Sequence, residues 1–132
     1  MKPALAPDIA PLRVLIVEDD PEMRRLLSAV FRSEGFNIAA ADHVDSALHL
    51  LSDGFDLVMT DIRLPGRSGL ELLAEIRHTH PTLPVVVMTA FGDEAAHESA
   101  AALHASQFLD KPFSIDQLRC VVRELFPAWR SL

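Results

Sequence analysis

The stretch 13-RVLIVEDDP-21 joins a short apolar run to three consecutive acids and a proline. A short apolar run without alternation is the mark of a strand buried on both faces, not of one with a wet side. Asp20 and Pro21 then form a helix start. An Asp at this place caps a free backbone N–H, and proline at the first helical position lacks an N–H that would be unpaired anyway. Met23, Leu26, Leu27, Val30 and Phe31 follow at helical spacing, and Gly35 stops the helix. The unit is a buried strand with carboxylates at its end, feeding an amphipathic helix.

Working outward, the same unit recurs. The run 36-FNIAAA-41 is a weaker strand, and 44–53 is a second amphipathic helix closed by Gly54. Next, 56-DLVMTD-61 is a buried strand that again ends in an acid, followed by the loop 62-IRLPGRSG-69 and a helix over 69–79. The segment 85-VVVMT-89 is the most strand-like in the chain, and Gly92 opens an alanine-rich helix over 93–104. A short strand, 106-SQFLD-110, leads to Lys111-Pro112. Ser114 caps a last helix, 115–126, with Ile115, Leu118, Val121, Val122 and Leu125 on its apolar face. Continuous apolar strands alternating with amphipathic helices imply an α/β domain, a doubly wound parallel sheet covered on both faces. Residues 1–12, rich in Pro and Ala, read as a flexible extension. Residues 13–126 are the folded domain, and 127–132 are a tail.

The totals agree. A chain of 132 residues is one domain by size, and an apolar share of 49% is enough for an ordinary core. The net charge of −7 excludes the basic stripe of a nucleic-acid binder. No apolar run reaches the ~18–20 residues of a membrane span. The single cysteine, Cys120, forbids an internal disulfide, suits a reducing cytoplasm, and reads as a small core or half-buried residue.

In a doubly wound sheet, sites form beyond the carboxyl ends of the strands. Those ends carry Glu18, Asp19 and Asp20, then Asp61, then Thr89, then Lys111. The chain has two lysines against ten arginines, and only Lys111 lies in the body of the fold. Clustered carboxylates repel one another. One ammonium cannot balance them, so a divalent metal is expected, and an all-oxygen donor set suits Mg²⁺, or Mn²⁺ in its place. Asp61, alone at its strand end, is then free to act as a nucleophile toward phosphorus, forming an acyl phosphate. Lys111, the Thr89 hydroxyl and backbone N–H groups near Ile62, Arg63 and Ala90 are placed to meet the oxygens of the transferred group. A compact ammonium on a flexible stem fits that task better than a planar guanidinium.

The motifs VEDD at 17–20, DIRLPGRSG at 61–69, MTA at 88–90 and FLDKPF at 108–113, in this order and spacing, resemble those of response-regulator receiver domains of two-component signalling. The resemblance runs from about Arg13 to Phe126. It implies a flavodoxin-like (βα)5 fold with strand order 2-1-3-4-5. It implies Asp61 as phosphoacceptor, with Thr89 and Lys111 contacting the phosphoryl group. Glu18, Asp19, Asp61 and the Arg63 backbone carbonyl match the metal site. Thr89 and Phe108 match the switch pair, and Pro112 the proline that follows a cis bond. Arg63 and Phe91 flank the path of an attacking water, and neither is a base, so slow self-dephosphorylation is expected. His104 stands where the family usually has glycine.

The implied partners are a histidine kinase or a histidine phosphotransfer protein, with an output domain or target protein downstream and a phosphorylation-dependent homodimer open. No direct nucleic-acid or membrane contact is expected. The chain reads equally as a stand-alone receiver or as the N-terminal receiver of a longer regulator. Two rival readings are a pseudo-receiver acting only by protein contact, and an aspartate-nucleophile phosphohydrolase of the haloacid-dehalogenase-like kind. The second wants an acid two residues after the nucleophile, where this chain has Arg63. The first usually lacks an acid, the Thr or the Lys, and none is missing here. Asp20 reads as a cap, not a ligand. His78 and His80 read as exposed, and Trp129 is either a tail contact or a partner anchor.

Overall fold

The computed structural model describes residues 11–90 and 92–127. Residues 1–10 of the expected extension over 1–12, Phe91, and residues 128–132 of the expected tail, Trp129 among them, therefore lie outside the described residues. Five strands alternate with five helices: β1 Arg13–Val17, α1 Pro21–Ser33, β2 Asn37–Ala41, α2 Val44–Leu51, β3 Leu57–Asp61, α3 Gly69–Thr79, β4 Val85–Ala90, α4 Glu94–Ala102, β5 Gln107–Lys111 and α5 Ile115–Leu125. The strands are all parallel, in the order β2-β1-β3-β4-β5.

Alternation along each strand divides the core in two. Leu15, Val17, Val58, Val85 and Val87 face a layer built with α2, α3 and α4. Val14, Ile16, Leu57, Met59, Val86, Met88 and Leu109 face α1 and α5. Every residue of β3 is buried, which explains why Leu57, Val58 and Met59 show no polar alternation. Full burial of each such side chain contributes roughly 1.5–3 kcal/mol.

The helix starts are locally encoded. The Asp20 side chain accepts from Glu22 N–H at 3.1 Å. Ser68 and Glu71 form a capping box on α3, as Ser114 and Gln117 do on α5. Several boundaries differ from the sequence reading. Helix α2 stops at Leu51, and α4 spans Glu94–Ala102 instead of 93–104, because Asp93 serves as its N-cap and the chain reverses at His104. Strand β5 begins one residue later than expected. Ser106 is held outside it, its Oγ accepting from Val85 N–H at 2.9 Å. Lys111 is thereby the last residue of the strand. Leu26 and Ile115 were assigned to apolar faces but are 51% and 44% exposed. Cys120 is exposed too, since the buried stripe of α5 runs through Leu118 and Val122. His78 and His80 are exposed.

Two backbone positions are decisive. A Cβ on Gly69 would lie 2.0 Å from the Asp61 carbonyl oxygen. Gly69 N–H instead donates to Ile62 O at 2.8 Å, which ties the start of α3 to the end of β3. His104 has φ 63°. Its N–H donates to Ala101 O at 2.9 Å and Ala105 N–H to Ala100 O at 3.0 Å, the double bond of a Schellman turn whose central residue is usually glycine. Gly69→Ala is accordingly expected to cost about 2–3 kcal/mol by overpacking against backbone, read by urea denaturation. His104→Gly is expected to stabilise by about 1 kcal/mol in the same assay, by relieving the left-handed strain. No stability gain there would mean that the ring makes a compensating contact.

Candidate functional site

Parallel strands in register bring the ends of β1, β3, β4 and β5 to one edge. Glu18, directly after β1, is 1% exposed. Its backbone is fixed by two bonds: Glu18 N–H donates to Ala41 O at 3.0 Å, and Arg24 Nη1 donates to Glu18 O at 2.8 Å. Asp61 closes β3 and is 9% exposed. Lys111 closes β5, and its Nζ donates to Glu18 Oε1 at 2.7 Å and to Asp61 Oδ2 at 2.8 Å. The other Asp61 oxygen accepts from Arg63 N–H at 3.1 Å. Glu18, Asp19 and Asp61 each offer a carboxylate oxygen within 4.8 Å of the others, and Asp19 is exposed. These oxygen donors fit a hard divalent cation, which takes carboxylates, carbonyls and water.

Burial pushes the Glu18 carboxyl above its ordinary value, and the bonds from Lys111 and from Asp20 N–H pull it back only in part. Burial alone would lower the Lys111 ammonium. The bonds to Asp61 and Glu18 outweigh it and hold the group above its ordinary value. The ammonium and the two carboxylates therefore form one electrostatic unit.

Thr89, 2% exposed, lies near the end of β4. Its hydroxyl donates to Asp110 Oδ1 at 2.7 Å and lies 3.0 Å from His97 Nε2. His97 Nε2 is 2.6 Å from the same Asp110 oxygen. The His97 ring stacks on Phe108, with centroids 4.8 Å apart and planes at 13°. Hydrogen bonds from Thr89 first and His97 second hold the Asp110 carboxyl below its ordinary value. Phe108 is half-buried against the α2–α3–α4 layer. The Lys111–Pro112 bond is cis.

The structure thus brings Glu18, Asp19, Asp61 and Lys111 together. It holds Arg63 at the site through its backbone, while the Arg63 side chain is 79% exposed and reaches Asp93 at 3.5 Å. Thr89 and Phe108 belong to a second cluster beside the first. Its other members, His97 and Asp110, are not among the site residues expected from sequence. A signal for Asp110 exists, since it pairs in register with Thr89 and sits between buried Leu109 and Lys111. None exists for His97, because α4 has too little apolar contrast to fix its rotation from sequence.

The family model described as the response regulator receiver domain matches residues 14–123. Among curated proteins, the chain is 37% identical over 113 residues to the transcriptional regulatory protein CpxR of Klebsiella pneumoniae, covering 86% of this chain and 48% of that one. The chain spans about half the length of this relative. Among solved structures, the receiver domain of NtrX from Brucella abortus is 36% identical with a TM-score of 0.81, covering 86% of this chain and 98% of that one. TrrA from Thermotoga maritima, solved in complex with Mg²⁺-BeF, is 34% identical with a TM-score of 0.79, covering 87% and 99%.

Removing the Lys111 ammonium leaves Glu18 beside Asp61 without a cation. Lys111→Met is expected to cost about 2–3 kcal/mol near neutral pH, the low end for a broken buried pair because Lys111 is a quarter exposed in its side chain. The sign with pH follows from Glu18. A carboxyl raised in the folded state favours folding in its protonated form, and that contribution is lost as pH rises through the raised value. The deficit of Lys111→Met against the parent should therefore shrink as pH falls from 7 toward ~5. Urea midpoints across that range check it, and a deficit that grows on acidification would contradict the assignment.

Proposed function

The chain belongs to the response regulator receiver domain family, and on that premise we propose that it is a phosphoacceptor switch in which Asp61 takes a phosphoryl group from a phosphohistidine of a histidine kinase or phosphotransfer protein. The observation that carries the reading is the Lys111 ammonium bridging Glu18 and Asp61 at 2.7 and 2.8 Å at the edge of the sheet. It holds the carboxylate proposed as nucleophile in a fixed orientation at a largely buried position.

In the transfer, the P–N bond to the donor imidazole breaks and a P–O bond to an Asp61 oxygen forms. The electron pair of the broken bond stays on the imidazole nitrogen. Glu18, Asp19, Asp61 and the Arg63 carbonyl are the residues that would hold Mg²⁺. When bound, the ion supplies positive charge to the oxygens of the transferred group. The protein's own share is positional. Arg63 N–H fixes one Asp61 oxygen, and Lys111 fixes the other while keeping one of its three N–H donors for a phosphoryl oxygen. The Thr89 hydroxyl turns to a phosphoryl oxygen, Phe108 moves into the space it leaves, and the surface of α4, β5 and α5 changes. This is a shift between two populated arrangements of one fold. Output passes through that surface to a target protein, an output domain or a second copy. Arg63 and Phe91 offer no base to an attacking water, which favours a long-lived phosphoryl group. Among the described residues no helix is long and apolar enough to cross a membrane. The reading is of a cytoplasmic signalling domain.

Incubation with acetyl phosphate and Mg²⁺, read by intact mass, is expected to add one phosphoryl group to the parent. Asp61→Asn should add none, and Asp19→Asn should slow the gain by at least tenfold while leaving the fold unchanged, because Asp19 is exposed. Equal labelling of Asp61→Asn would sink the assignment.

A further inference from the structure

The Thr89 hydroxyl has one hydrogen to give. In this structure Asp110 Oδ1 takes it, at 2.7 Å. A carboxylate only accepts, so the direction of that bond is fixed. For the same reason His97 Nε2, 2.6 Å from that oxygen, carries the ring hydrogen and donates. A phosphoryl oxygen on Asp61 also only accepts. Thr89 cannot serve both anions with one hydrogen.

The register makes the competition geometric as well as chemical. Thr89 and Asp110 are direct partners across β4 and β5. Alternation puts both on the side of the sheet that holds Val85, Val87 and Phe108, the side covered by α4. Lys111 follows Asp110 by one residue and so belongs with Leu109, on the side of α1 and α5.

We propose that Asp110, held by His97, is a latch: a positioning residue that keeps the Thr89 hydroxyl in its resting place and opposes its engagement with a phosphoryl group. This rests on the phosphoacceptor reading of Asp61. His97 has two parts in it. Its N–H remains on Asp110 when Thr89 leaves, so the carboxylate keeps a donor. Its ring stacks on Phe108, so the aromatic cannot turn toward the space beside Thr89 without giving up that contact. The two side chains of the latch, Asp110 and His97, thus couple the threonine to the switch aromatic.

The test is calorimetric titration of the full chain with beryllofluoride, a phosphoryl mimic, in saturating Mg²⁺. Asp110→Ala frees the hydroxyl and should bind the mimic roughly three- to tenfold more tightly, the scale of one net hydrogen bond. Asp110→Asn keeps an acceptor oxygen without the charge and should fall between the parent and Asp110→Ala. In a Thr89→Val background the Asp110→Ala change should shift affinity by less than about twofold, since no hydroxyl is left to release. A purely structural role for Asp110 would persist in that background and would weaken binding. Folded Asp110→Ala with unchanged or weaker affinity overturns the latch, and Asp110→Asn decides the question if the alanine variant does not fold. A parent that fails to bind the mimic overturns the phosphoacceptor reading and the latch with it. A parent that binds, with variants no tighter, overturns the latch alone.

Discussion

Glu18 is a carboxylate with almost no access to water, set at the end of an apolar strand where the fold gives it no choice of place. A buried charge without a partner costs several kcal/mol, and the usual escape is protonation. Here the escape is Lys111, whose Nζ is 2.7 Å away. The same ammonium reaches Asp61 at 2.8 Å, so one cation answers for two anions. That shortage organises the whole edge. It leaves more carboxylates than cations at the edge, a donor set that would suit a divalent cation on the proposed reading, with Asp61 among the oxygens that would hold it. It also explains why the residue is lysine in a fold whose other cations are arginines, Lys2 lying ahead of it. A guanidinium fork reads two oxygens of one carboxylate in a plane. An ammonium can divide its three hydrogens among groups that come from different strands.

The parallel register converts this local problem into a long-range one. Glu18, Asp61 and Lys111 come from β1, β3 and β5, so the site exists only when β1, β3, β4 and β5 are assembled. Gly69 shows how little slack there is. The start of α3 lies so close to the Asp61 carbonyl that no side chain fits between them. The loop between β3 and α3 is thus clamped at both ends, by Asp61 Oδ1 on Arg63 N–H and by Gly69 N–H on Ile62 O.

The framework and the first cluster were legible in the sequence because their signals are local. Apolar runs mark β3 and β4, the caps Asp20 and Ser114 mark helix starts, and acids at strand ends need only the parallel topology to converge. What escaped was anything that depends on the rotation of a weakly patterned element. Helix α4 is built of Glu, His, Ser and mostly Ala, with Ala100 as its one fully buried residue, so no periodic stripe tells which way His97 points. The errors at Leu26, Ile115 and Cys120 have another origin, since α1 and α5 are clearly amphipathic. A helical apolar stripe read from sequence is wider than the strip the neighbouring layer covers, and residues at its margin stay wet. The left-handed residue at His104 was signalled, by contrast, only by the resemblance, which places glycine at that position.

A two-state switch needs two arrangements separated by only a few kcal/mol, because a ligand can shift the balance only by the difference in its affinity for them. A threonine whose resting partner was water would leave that difference to the phosphoryl group alone. A threonine locked to a backbone carbonyl in the core would be hard to move at all. A carboxylate at the rim is the intermediate case. Asp110 is an anion like the phosphoryl group, so the hydrogen bond lost and the one gained are of similar kind and strength. It is partly exposed and already holds a second donor, so its release leaves no buried charge without a partner. On the proposed reading, the balance is then set by small terms, the stacking of His97 on Phe108 and the extra charge of the incoming group.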